Sequence, residues 1–237
     1  INHDVMIDIL RERISDERFI RLIRKFLNAG YIEDWKFHKT HSGTQQGGIV
    51  SPILANIYLD KLDKYMMEYI RKFDGGENRK TNKERIQYEY GKRLAVAKLK
   101  SVTDKDERKA IIKQIKAFDK ERALISCGDE MDSDYRRMKY VRYADDFLIG
   151  IIGSKSDSQK IKEDIKNFLQ SKLKLELSDE KTLITHTEKS AKFLGYEIYV
   201  RKSNLTKRNK AGRLMRAFNK KVYLKLTTDV MKKKLLE

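Results

Sequence analysis

Apolar residues recur along the chain with two periods, and the places where one period gives way to the other mark its elements. Val5, Met6, Ile9, Leu10 and Ile14 fall on one helical face, and Asp16 can cap a second helix carrying Phe19, Leu22, Ile23, Phe26 and Leu27 until Gly30 stops it. Residues 31–40 mix aromatic and charged side chains and read as extended. Ser51 followed by Pro52 predicts a helix start, an N-cap and then the residue pre-set for the first turn. Its stripe, Ile53, Leu54, Ile57, Tyr58, Leu62, Tyr65, Met66 and Tyr69, carries the helix to about residue 71 before Asp74, Gly75 and Gly76 break it. The next apolar positions are sparse: Leu94, Val96 and Leu99, then Ile111, Ile112, Ile115 and Phe118, which predict two charged helices joined near Thr103.

At residues 140–153, YVRYADDFLIGIIG, the pattern becomes two apolar, β-branched runs around an Asp-Asp pair, which predicts a tight hairpin with Asp145 and Asp146 at its turn. Ser156 and Gln159 can form a capping box for a helix with the stripe Ile161, Ile165, Phe168 and Leu169. Leu173, Leu175 and Leu177 alternate as a strand, and residues 191–200, AKFLGYEIYV, read as another with Gly195 at a close approach. Residues 201–213 are basic and aperiodic, a loop, followed by a short strand over 221–226 and a helix from Thr228. A hairpin, a helix packed behind it and returning strands make this an α+β chain with a ferredoxin-like sheet.

Composition narrows the partners. Among 237 residues, 53 Lys and Arg oppose 35 Asp and Glu, a net charge of +18, which favours a polyanion. No apolar run approaches the roughly 20 residues of a membrane span, so nucleic acid is preferred to a membrane. Cys127 is the only cysteine and no Cys/His cluster has zinc spacing, which implies a reducing compartment, cytoplasmic or organellar, and no secretion. His38, His41 and His186 are isolated and read as structural. Adjacent carboxylates repel, and holding them together on rigid strands suits Mg²⁺, a hard cation that takes one or two carboxylates plus substrate phosphates. An Asp-Asp pair alone is equally the composition of an ordinary polar turn.

Four residues read together favour the metal. Tyr143, Ala144, Asp145 and Asp146 between apolar strands resemble the YxDD signature of reverse transcriptases, and YADDF preceded by Arg142 resembles the group II intron branch. Residues 42–52, SGTQQGGIVSP, are similar to that family's GTPQGGxxSP block, with Gln45 in place of its proline. Residues 177–185, LSDEKTLIT, resemble its sixth block and FLGY its seventh, while the opening INHDV resembles the end of its third. The stretch before the hairpin resembles the family's DPNYRRLKYVRYADDF connection, and its Arg136, Arg137 and Lys139 would suit a phosphate backbone.

The resemblance implies a polymerase palm with a charged helical insertion: palm and fingers helices over 1–72, the insertion over 73–135, catalytic hairpin and sheet over 136–226, and the start of a thumb over 227–237. It implies Asp145 and Asp146 as catalytic and metal-binding residues for two Mg²⁺ ions, with Mn²⁺ as an alternative. Gln46, Gly47 and Lys181 would bind the nucleotide, and Tyr143, Arg142, Leu194 and Gly195 would meet primer and template. The implied activity is RNA-directed DNA synthesis by a maturase that also binds its intron RNA for splicing and mobility, with RNA template, DNA primer and dNTP as partners. An exposed sheet edge leaves a homodimer open. The first catalytic aspartate of the family lies shortly before the position of Ile1, and Asp4 and Asp8 fall on the helix after it, so this stretch alone is expected not to polymerise. Two other readings stand beside this one, an RNA-binding splicing cofactor without polymerase activity and a retron-type bacterial reverse transcriptase.

Overall fold

The structure, a computed structural model, describes residues 1–33, 36–38, 50–201, 205–216 and 221–235. In chain order these form α1 (His3–Arg11), α2 (Glu17–Asn28), β1 (Tyr31–Glu33), β2 (Lys36–His38), α3 (Ser51–Phe73), α4 (Lys83–Ser101) and α5 (Lys105–Leu124). There follow β3 (Arg137–Tyr143), β4 (Asp146–Ile152), α6 (Lys155–Leu173), β5 (Ala191–Phe193), β6 (Tyr196–Arg201), β7 (Thr206–Arg208), β8 (Leu214–Arg216), β9 (Lys221–Leu226) and α7 (Thr228–Leu235). The mixture is α+β. Among the described residues the strands fall into four separate sheets, ordered β1-β2, β3-β4, β5-β6-β9 and β7-β8, where the sequence suggests a single ferredoxin-like one. No helix among the described residues is long and apolar enough to cross a membrane.

Two compact units result, residues 1–74 with 136–184 and residues 75–135 with 185–237. The first holds the main core. Met6, Ile7 and Leu10 of α1, Tyr58, Leu62 and Met66 of α3, Met138 of β3, and Ile161, Ile165 and Leu169 of α6 are all buried. Full burial of each such side chain is worth about 1.5–3 kcal/mol. Tyr65 of α3 stacks on Phe168 of α6 with ring centroids 4.0 Å apart. The Tyr58 hydroxyl donates to the Leu173 carbonyl and accepts from the Asn2 amide at 3.3 Å, tying the last residue of α6 to the chain before α1.

Several elements depart from their sequence reading for identifiable reasons. α3 starts a residue early, with Val50 as an N-cap that makes no side-chain bond, so Ser51 is already helical. α6 is capped by Ser154, not Ser156: Asp157 reaches back to the Ser154 amide at 2.8 Å while Ser154 Oγ accepts from the Asp157 amide at 3.0 Å. On α2 the inward residues are Ile20 and Leu27, whereas Phe19, Leu22 and Phe26 are exposed. Leu173 ends α6, Lys174 turns left-handed at φ 50°, and the Leu175 amide closes on the Leu169 carbonyl, so the alternating leucines pack on the core without pairing as a strand.

In the second unit α4 and α5 form an antiparallel pair. Gly91 admits the Phe118 ring, which would stand 2.9 Å from an added Cβ, and Lys92 meets both Asp119 oxygens at 2.8 Å. The expected strand over 191–200 is a hairpin instead, with Phe193 opposite Tyr196 and a two-residue loop at Leu194 and Gly195. Both loop residues have positive φ, 50° and 78°, as a type I′ turn requires. The basic stretch expected as a loop contains β7, which pairs antiparallel with β8 just beyond it.

Candidate active site

β3 and β4 pair in register from Arg137 opposite Ile152 to Tyr143 opposite Asp146, leaving Ala144 and Asp145 as a two-residue loop. The expected turn is thus displaced by one residue: Asp145 lies in the loop and Asp146 begins β4. Ala144 has φ 49°, the position at which a type II′ hairpin loop asks for glycine, and for a residue with a Cβ this costs about 1–2 kcal/mol.

The pleat gives the hairpin two unlike faces. Met138, Tyr140, Phe147, Ile149 and Ile151 pack on or into the core. Lys139, Val141, Tyr143 and Asp146 are exposed on the other face, where Gly150 has nothing within 4 Å of an added Cβ. Asp146 therefore shares an open, flat face with Tyr143, its cross-strand neighbour. Asp145 is exposed as well. Ile1 lies near Asp145.

The hairpin is fastened along α3. At its base the Met138 amide donates to Asp74 Oδ1 at 2.8 Å. In its middle the Tyr140 hydroxyl donates to Asp63 Oδ1 at 2.9 Å. Near its tip Arg142 grips the Asp63 carboxylate with Nε at 2.9 Å and Nη2 at 2.6 Å. Nη1 of Arg142 reaches Asn56 Oδ1 at 3.2 Å and the Ala144 carbonyl at 2.9 Å. Hydrogen bonding from Arg142 holds the Asp63 carboxyl below its usual range, and Tyr140 adds to this against the opposing effect of burial. Burial, then the bond to Asp63, pushes the Tyr140 phenol well up.

Arg142 thus spends four of the five N–H donors of a guanidinium inside the protein, and its side chain is only 11% exposed. Of the neighbouring cations, Arg136 stacks over Phe73 at 5.4 Å and Lys139 stands on the open face. Lys181 is exposed in a turn after α6, between two anchored residues: Asp179 pairs with Lys162 at 3.1 Å and Lys166 at 2.6 Å, and Lys162 Nζ holds the Thr182 carbonyl at 2.8 Å. Gln46 and Gly47 lie outside the described residues. Leu194 and Gly195 belong to the second unit, where the Gly195 carbonyl accepts from the Thr227 amide at 3.0 Å. Sequence reading missed Asn56 and Asp63. Their signal was spacing: residues 56, 63 and 74 are seven and eleven apart, both near whole numbers of helical turns.

Among the described residues no group of three His, Cys, Asp or Glu side chains could hold a metal ion. Asp145 and Asp146 supply hard oxygen ligands on a braced support, which fits Mg²⁺ in its usual mode of one or two protein carboxylates completed by substrate phosphates.

Residues 99–198 match the family described as reverse transcriptase (RNA-dependent DNA polymerase). The chain is 44% identical over 215 residues to the group II intron-encoded protein LtrA of Lactococcus lactis subsp. cremoris, which covers 88% of this chain and 34% of that protein. It is 42% identical over 202 residues to a COX1/OXI3 intron 1 protein of Saccharomyces cerevisiae, covering 84% of this chain and 22% of that one. Over 152 residues it is 26% identical to nuclear intron maturase 1, mitochondrial, of Arabidopsis thaliana, covering 64% of this chain and 17% of the relative. The chain spans about a third or less of the length of these relatives. With a reverse transcriptase match that encloses the Asp-Asp hairpin, inside a stretch so close to a group II intron-encoded protein, this chain belongs to the group II intron-encoded reverse transcriptases and maturases.

Proposed function

We propose that the whole protein is an RNA-directed DNA polymerase and maturase of a group II intron, and that this chain carries the palm of its polymerase. The observation that carries the reading is the hairpin: two exposed carboxylates on a loop and strand start, braced from behind by α3 and open in front. Asp145 and Asp146 would hold Mg²⁺, with Mn²⁺ as a substitute, together with a carboxylate contributed from upstream of Ile1. The proximity of Ile1 to Asp145 supports that arrangement. When bound, the ions supply activation of the primer 3′-hydroxyl and stabilisation of the departing pyrophosphate.

The chain's own residues do the positioning. The flat face around Gly150, Val141 and Tyr143 would receive the primer end, with Lys139 beside it for a phosphate. Lys181 would meet the triphosphate from its anchored turn, and Gln46 and Gly47 would line the nucleotide pocket. Leu194 and Gly195 would support the primer. The bond formed joins the 3′ oxygen to the α-phosphorus of the dNTP, and the bond broken releases pyrophosphate. Intron RNA and the RNA template are the polyanions that the +18 charge would attract. The charged α4–α5 pair would be an insertion in the palm, and α7 would open the thumb.

The test is primer extension on an RNA template by the complete protein with Mg²⁺. Asp145→Ala and Asp146→Ala each abolish nucleotide addition while leaving intron RNA affinity within a few fold, because phosphate binding rests on Lys and Arg elsewhere. Extension that survives in either variant removes the metal assignment. A wild-type protein that binds and splices its intron but extends no primer replaces the polymerase with a splicing cofactor.

A further inference from the structure

The two carboxylates sit at the end of a strand pair, Asp146 at the start of β4 and Asp145 in the loop before it, whose first residue is held at positive φ without the glycine that conformation favours. Such a loop keeps one geometry only if something outside it holds it. Within the loop's own backbone the hold is a single carbonyl, that of Ala144, and its partner is Arg142 Nη1 at 2.9 Å. Arg142 in turn cannot swing, since its Nε and Nη2 form a two-pronged pair with Asp63, and Asp63 also accepts the Tyr140 hydroxyl. Asn56, two turns before Asp63 on α3, takes the remaining contact of Nη1. A chain of contacts therefore runs from the rigid middle of α3 through one guanidinium to the loop carbonyl beside Asp145.

We propose that Asp63 and Arg142 are a positioning pair for the proposed polymerase, Asp63 clamping the guanidinium so that it grips the Ala144 carbonyl and fixes the loop presenting Asp145 and Asp146. The proposal rests on the polymerase reading for its catalytic consequence but not for the clamp itself. It assigns Arg142 to the protein interior, not to the nucleic acid backbone. Lysine at position 142 would keep the charge and could reach Asp63, but it lacks the planar fork that serves two partners at once. Asparagine at position 63 keeps the shape and one acceptor while losing the charged two-pronged grip.

The experiment uses the full-length protein and the variants Asp63→Asn, Arg142→Lys and Asp63→Glu, read in two ways. Hydrogen exchange at the amides of residues 144–147 reports the loop, with the α3 and α6 amides as the control for folding. Steady-state primer extension reports kcat, KM for primer–template and the salt dependence of binding. The expected result is faster exchange confined to the hairpin tip in Asp63→Asn and Arg142→Lys. With it, kcat falls about 10–100-fold, the usual consequence of removing a partner that orients a ligand, while KM and the salt slope stay within about twofold. Asp63→Glu, which retains a two-pronged acceptor, recovers part of kcat. Unchanged exchange at the tip overturns the proposal, as does a loss expressed in KM and the salt slope, which would make Arg142 a phosphate contact. If Arg142→Lys fails to fold, Asp63→Asn decides by the same readouts. If wild-type protein extends no primer, the polymerase reading fails, and tip exchange still decides the clamp.

Discussion

Replacing Tyr58 with phenylalanine removes one oxygen from a fully buried site and leaves the ring that fills it. No cavity opens, so the cost is that of two backbone groups losing their partner: the Leu173 carbonyl at the end of α6 and the Asn2 amide before α1. A buried polar group left without a partner costs about 1–3 kcal/mol. Leu173 is 2% exposed and bears the full cost, while Asn2 is half-buried and bears less, so a loss of about 2 kcal/mol is expected. For a chain of this length, about 2–4 °C in Tm per kcal/mol makes that about 4–8 °C. The assay is urea denaturation followed by far-UV circular dichroism, in which the midpoint falls and the slope is unchanged because the surface exposed on unfolding is the same. A loss below about 0.5 kcal/mol would refute the reasoning and mean that water reaches the Leu173 carbonyl. The substitution also bears on the site, because Asn2 adjoins Ile1, which lies near Asp145.

Three further outcomes follow from the same contacts. Gly150→Val is expected to fold at least as well as wild type, gaining about 0.5–1 kcal/mol because its side chain meets open space and glycine weakens a strand. In the complete protein it is expected to cut primer extension by about 10–100-fold by raising a branched side chain on the face proposed to receive the primer; unchanged extension would move the primer elsewhere. RNA affinity of this chain falls steeply with salt, by a log-log slope of about −0.7 to −0.9 for each phosphate met, and a slope near zero in filter binding would remove the case for a basic RNA surface. Asp63 has a lowered pKa in the folded state, so the stability it contributes is present above its unfolded value of about 3.9 and is lost as pH falls through the folded one. Acid titration of stability below about pH 4 should therefore be steeper in wild type than in Asp63→Asn, and parallel curves would show that the pair adds nothing.

The hairpin was legible because residues 140–153 combine strand-forming runs with a polar break, yet the register was not. Asp145 and Asp146 are chemically alike, and only the pairing of Tyr143 with Asp146 decides which one enters the loop. Helix existence followed from periodicity, and Asp16 caps α2 as its chemistry suggests. Facing was harder: the apolar side of α2 is broad, and tertiary packing buried its Ile20 and Leu27 edge while leaving Phe19 and Phe26 at the other edge exposed. Leu173, Leu175 and Leu177 alternate as a strand should, but a strand needs a neighbour and α6 runs to Leu173. Asp63 escaped notice because one carboxylate on a charged helix looks solvated until the guanidinium it holds is seen.

Asp74 and Met138 lie 64 residues apart in sequence, and a single hydrogen bond joins them. The first unit therefore closes on itself where the chain leaves it and where the chain returns, like a ring with a clasp. What lies between the two halves of that clasp belongs to the second unit, so a change of length there leaves the packing within the first unit as it is. A single-residue insertion within α3 has the opposite effect, turning everything beyond it by about 100° and pulling Asp74 and Asp63 off one side of the helix. Lineages carrying this fold should therefore differ freely in length between 75 and 135 while keeping the 56, 63, 74 spacing fixed, which makes that helix the ruler against which insertions are measured.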